Sequence, residues 1–181
     1  LSERRTGVIY YDCTNFYFEI AQAEDDKQYR ACKENRPLPI VEMGLFMDMD
    51  GIPIAFGLSP GNDNEQNTLI PLEKKLLEKF DMSHFVVCTD AGLSSATNRH
   101  FNDYDKEDGC RSFITTQSIK KLKAHLKKWA LDSKGWYLSG AAAGTTYDLE
   151  TLNEEKDREK IFYKSRWIKE QSVVTEDGKP K

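Results

Sequence analysis

Two short apolar runs that each meet an aspartate constrain this chain more than any other feature. The first is Gly7-Val8-Ile9-Tyr10-Tyr11-Asp12-Cys13-Thr14, and the second is His84-Phe85-Val86-Val87-Cys88-Thr89-Asp90. Runs this short and this rich in β-branched and aromatic residues read as buried strands. Between them lie two more apolar runs, Val41 to Met47 and Ile52 to Leu58, split by Asp48-Met49-Asp50-Gly51. Asp-Gly between apolar runs predicts a hairpin. Leu69, Leu72, Leu76 and Phe80 then follow at helical spacing. Pro71 is tolerated near the start of that helix, where amides have no helical partner. Strand, hairpin, helix and strand together exclude an all-α or all-β class. A right-handed crossover through the helix sets the second aspartate strand parallel to the first.

The rest of the chain is less regular. Residues from Glu24 to Pro39 are polar and broken by Pro37 and Pro39, so a loop is expected. Ser94 or Ser95 is placed to cap a short helix through Phe101, and Arg111 to Thr115 reads as a further strand. Ser118 is expected to cap a helix with Ile119, Leu122, Leu126 and Trp129 on its apolar face. Ile161 to Glu170 alternates like a strand, after the charged run from Leu152 to Lys160. We therefore expect an α/β (α+β) fold with a mixed sheet. Its core should span residues 1–135, and a β-rich insertion should begin in residues 136–181.

Composition narrows the class. The chain has 181 residues, 39% hydrophobic and 31% charged, which suits a globular domain with a heavily charged surface. No stretch approaches the roughly 18 apolar residues of a membrane span, and the start lacks a secretory signal, so a cytoplasmic protein without membrane contact is expected. Cys13, Cys32, Cys88 and Cys110 form no Cys-x-x-Cys pair and read as free thiols. The net charge of −4 argues against a generally basic nucleic-acid binder. A cluster of carboxylates bound to metal reverses the local sign, however, so net charge does not exclude one.

If the two aspartate strands are parallel neighbours, Asp12 and Asp90 emerge at one edge of the sheet, where α/β folds commonly place ligands. Neighbouring strands lie about 5 Å apart. Two ionised carboxylates that close repel unless a cation lies between them. Mg²⁺, or Mn²⁺ in its place, is the natural occupant of an all-oxygen site. Two such ions support in-line phosphoryl transfer on a polynucleotide. Aspartate at a strand end also serves simply as a turn former or helix cap.

The element order is that of a ribonuclease-H-like core, and several segments resemble bacterial insertion-sequence transposases of the DDE type. They are Val8 to Phe18, then Gly57-Leu58-Ser59-Pro60-Gly61-Asn62 through Glu65, then Val86 to Gly92, and last Phe113 to Ser118 with the lysine-rich stretch after it. The resemblance implies that Asp12 and Asp90 are catalytic metal ligands for two Mg²⁺ ions. It also implies cleavage and strand transfer on double-stranded DNA (element ends and target), a homodimer in the intact protein, and a bacterial, nucleoid-associated location.

A third acid is implied as well, a glutamate within Tyr-x-x-Arg-x-x-x-Glu-x-x-x-x-x-x-Lys. Tyr163, Arg166 and Glu170 fall at that spacing, but Asp177 stands at the lysine position. The glutamate is therefore expected beyond Lys181, and the chain alone is expected to lack transposition activity. The rival readings are a related nuclease and a catalytically dead DNA-binding module.

Other residues have competing roles. Lys120, Lys121, Lys123, Lys127 and Lys128, with His125, suit phosphate contacts, as they also suit a solvated helix face. Asp48 and Asp50 suit a hairpin turn better than a metal. Asn62 and Glu65 suit the start of the following helix. Trp129, Trp136 and Trp167 suit core packing more than base stacking.

Overall fold

The computed structural model describes residues 4–30, 37–80 and 82–168. They fall into two compact units, one holding the described residues up to Gln117 and the other beginning at Ser118. The first unit is built on a six-stranded sheet. In chain order its elements are β1 (Val8–Tyr17), β2 (Ile40–Met47), β3 (Pro53–Pro60), α1 (Leu69–Phe80), β4 (His84–Thr89), α2 (Ala96–Phe101), β5 (Tyr104–Lys106) and β6 (Gly109–Thr115). The strand order is β3-β2-β1-β4-β6-β5. β1, β2 and β3 pair antiparallel, whereas β4 is parallel to both β1 and β6. This is the expected mixed α/β arrangement, with β1 and β4 parallel neighbours, and it is consistent with a ribonuclease-H-like fold.

The Asp-Gly turn closes the β2–β3 hairpin as expected. Gly51 takes a positive φ of 76°, a conformation glycine adopts without steric cost. Asp48 Oδ1 accepts from the amides of Asp50 (3.0 Å) and Ile52 (2.9 Å), and Arg4 lies 3.6 Å from Asp48 Oδ2. Asp48 and Asp50 are thus turn residues. Asp108-Gly109 repeats this signal at the β5–β6 turn, which the sequence reading missed. Beside that turn, the Tyr104 hydroxyl donates to Asp108 at 2.7 Å.

One face of the sheet holds the core. Ile9, Tyr11, Phe46, Phe85 and Val87 pack there with Leu69, Leu72 and Leu76 of α1, so the three leucines did mark the buried face of the helix, whereas Phe80, the last residue of that stripe, is exposed. Gly44 lacks the Cβ that would collide with the Tyr11 hydroxyl, which leaves room for Tyr11 to bond Thr68 Oγ1 at 2.7 Å. On the opposite face, Tyr10, Phe16, Phe56, Leu58 and Ile114 are between 42% and 65% exposed, so the described residues do not cover it.

Ser95 caps α2 as expected, its Oγ accepting from the Asn98 amide at 3.1 Å. Replacing Ser95 by alanine is expected to cost about 1 kcal/mol, read from a lower urea midpoint at unchanged slope.

The second unit departs from expectation. The helix expected from Ser118 is split into a 3-10 turn, Ile119–Lys121, and α3 (Ala124–Leu131). Leu122 lies between them in an extended conformation, and the Ser118 side chain does not cap the turn. The strand expected from Ile161 shrinks to β8 (Phe162–Tyr163), which pairs with β7 (Tyr137–Leu138). A four-residue helix, α4 (Glu154–Asp157), precedes it. Lys164 Nζ donates to the carbonyls of Trp129 (3.0 Å) and Asp132 (2.9 Å), and lies over the rings of Trp129 and Trp136. Those two tryptophans are half-buried and outside the core, not packed in it as expected. Trp167 is fully exposed.

Candidate active site

β1 and β4 pair through Val8↔Val86, Ile9↔Val87 and Tyr10↔Cys88. Carried two residues further, this register sets Asp12 level with Asp90, which directly follows the last residue of β4. The apolar character of the run stops at Asp12, which alone would suggest that β1 ends there. The strand instead runs on to Tyr17, because β2 pairs with it from Tyr10 through Tyr17. Asp12 therefore sits within β1, at the point where the shorter partner β4 stops. By strand alternation it shares the exposed face with Tyr10, Thr14 and Phe16, and Leu45 lies opposite it on β2.

Both carboxylates are exposed, and each is oriented by its own backbone. Asp12 Oδ1 accepts from the Cys13 amide at 2.9 Å. Asp90 Oδ1 accepts from the amides of Gly92 (2.9 Å) and Leu93 (3.1 Å), closing a tight turn after the strand. Among the described residues nothing else bonds either side chain, so the Oδ2 atoms remain open and no Lys or Arg neutralises the pair.

An open carboxylate oxygen is the kind of ligand a hard cation takes, and Asp12 on β1 and Asp90 just past β4 each present one. They supply only part of its shell. No group of three or more His, Cys, Asp or Glu side chains able to hold a metal occurs among the described residues. Glu170 lies outside them.

The chain matches no protein-family model and no curated protein. Among solved structures it is similar to a chain of the Mos1 transposase paired-end complex with left transposon end. Identity is 18% and the TM-score 0.36, over 53% of this chain and 32% of that one.

The other candidates are dispersed. Lys120, Lys121, Lys123, Lys127, Lys128 and His125 are all exposed, in or beside the 3-10 turn and α3 of the second unit. Asn64 rather than Asn62 caps the 3-10 turn Glu65–Asn67 ahead of α1, accepting from the Gln66 amide at 3.1 Å. Glu65 faces Arg30, whose Nη2 lies 3.7 Å away.

Arg30 also donates to the fully buried Glu42 at 2.9 Å. Burial and the charge of Glu65 push the Glu42 carboxyl up, while Arg30 opposes them. Arg30 is thus shared by two carboxylates, hydrogen-bonded to Glu42 and ion-paired with Glu65. Burial likewise pushes up the thiols of Cys13 and Cys88, and both are free, as is Cys110. No helix among the described residues is long and apolar enough to cross a membrane.

Three residues beside Asp90 escaped the sequence reading. Thr115 Oγ1 donates to the Asp90 carbonyl at 2.9 Å, Gln66 Nε2 to the Gly92 carbonyl at 3.0 Å, and Asn98 Nδ2 to the Leu93 carbonyl at 2.8 Å. Each joins one element to another through a backbone carbonyl, and no local pattern announces such a bond.

Proposed function

We propose that this chain is part of the catalytic core of a DNA transposase like those of bacterial insertion sequences, an enzyme that cleaves and joins phosphodiesters at element ends. The observation that supports it best is that the β1–β4 register, carried two residues on, sets Asp12 level with Asp90 just past the end of β4, each carboxylate having one oxygen open. These two carboxylates would hold Mg²⁺, or Mn²⁺ in its place, with a third carboxylate completing the set. When bound, the ions (two in the intact enzyme) supply activation of water or a 3′-hydroxyl and stabilisation of the leaving oxygen.

The chain's own part is to orient. Asp90 is fixed by two backbone amides and Asp12 by one, so neither carboxylate must be ordered when a cation arrives. The partner would be double-stranded DNA, engaged by a homodimer of the intact protein in the bacterial cytoplasm. Residues 136–181 would begin an insertion within the catalytic domain.

A crystal soaked in Mn²⁺ tests the site directly. An anomalous peak within ligand distance of Asp12 and Asp90 is the expected result. Salt-sensitive DNA binding that is indifferent to metal, with no peak at the pair, would instead identify a DNA-binding module without catalysis.

The lysines make a second, smaller prediction. If Lys127 and Lys128 neutralise phosphates, replacing both by glutamine should reduce the slope of log affinity against log salt by about 0.9 for each phosphate left without its cation. An unchanged slope would make them a solvated surface.

A further inference from the structure

Asp90 sits on a four-residue turn that is tied down from outside at three carbonyls. Thr115 of β6 holds the carbonyl of Asp90, and Asn98 of α2 holds that of Leu93. Between them, Gln66 holds Gly92. The side chain of Asn98 also donates to the backbone carbonyl of Gln66 at 3.1 Å. Gln66 and Asn98 therefore form a bracket, with the 3-10 turn ahead of α1 on one side and α2 on the other. The bracket grips the residues whose amides orient the Asp90 carboxylate.

Two features make it more than surface decoration. Asn98 is buried, so its amide cannot turn to water for partners and is committed to these carbonyls. Gln66 reaches a residue 26 positions away in sequence, so its bond constrains tertiary placement rather than local structure.

We infer that Gln66, braced by Asn98, is a positioning residue for Asp90. By holding the Gly92 carbonyl it keeps the Gly92 and Leu93 amides aimed at Asp90 Oδ1, and so keeps Oδ2 turned to where a cation would be bound. The consequence for metal rests on the function proposed above; the bracket itself does not.

Gln66→Met tests it, because methionine has the same reach but no donor. In the ¹⁵N-labelled chain, hydrogen exchange at Gly92 and Leu93 should quicken about tenfold, the effect of one missing hydrogen bond. Exchange at Val86, Val87 and Cys88 in β4 should not change. Mn²⁺ affinity, followed by paramagnetic resonance, should fall several-fold with the melting temperature unmoved. That last pair of results separates positioning from a general structural role.

Unchanged exchange at Gly92 and Leu93 would overturn the inference. Quickened exchange in a chain whose parent binds no Mn²⁺ would uphold the bracket and remove the metal reading instead.

Discussion

Asparagine in place of either Asp12 or Asp90 is expected to weaken Mn²⁺ binding by more than about 100-fold while leaving thermal stability nearly unchanged. Loss of a residue that merely supports a metal ligand costs roughly 10–100-fold in affinity, so loss of a charged ligand should exceed that range. Asparagine is the informative replacement because its Oδ1 still accepts the backbone bonds seen here. These come from Cys13 at position 12 and from Gly92 and Leu93 at position 90. What it removes is the charge and the second anionic oxygen.

Stability should hold for the same reason. Both side chains are exposed, and substitutions at exposed sites away from special features usually stay within about 0.5 kcal/mol. Titration calorimetry with Mn²⁺ on the parent and each variant decides it. Parent-like affinity in Asp12→Asn would remove Asp12 from the site and leave the register between β1 and β4 without chemical consequence.

The features readable from sequence alone were those with local causes. Asp50-Gly51 marked a hairpin, the leucine spacing marked the buried face of α1, and Ser95 marked the start of α2. The apolar run alone puts Asp12 at the end of its strand, and the strand runs past it because strand length depends on the partner. Thr14, Phe16 and Tyr17 extend β1 because β2 lies beside them. β5 was missed because Tyr104–Lys106 is short and polar, although Asp108-Gly109 announced its turn. Leu122 fitted a helical stripe and yet lies in an extended link, since periodicity cannot show where a helix breaks. Gln66 and Asn98 were beyond reach, because the bonds that join them to the turn and to each other depend on tertiary placement.

The largest effect expected on stability comes from a residue with no part in the proposed chemistry. Glu73 lies on α1, fully buried, and burial pushes its carboxyl from 4.5 up to about 7. One bond opposes that rise, from Asn102 Nδ2 to Glu73 Oε2 at 3.0 Å, together with the weaker attraction of the Arg111 guanidinium. The folded state therefore holds the proton more tightly than the unfolded chain does. Its contribution to stability is fully present below pH 4.5 and is lost as pH rises to about 7. At about 1.36 kcal/mol per pH unit, the loss approaches roughly 3 kcal/mol.

Glu73→Gln should abolish that slope, because glutamine still accepts from Asn102 and never ionises. At pH 8 the variant should be more stable than the parent by about 1–3 kcal/mol. The lower end applies if the new amide, in place of the unbonded Oε1, finds no acceptor. At pH 4 the two proteins should nearly coincide if the amide finds an acceptor, and the variant should be the less stable by that same penalty if it does not. Urea unfolding at both pH values reads the difference, and equal stability of parent and variant at pH 8 would show that Glu73 ionises in the folded protein at little cost.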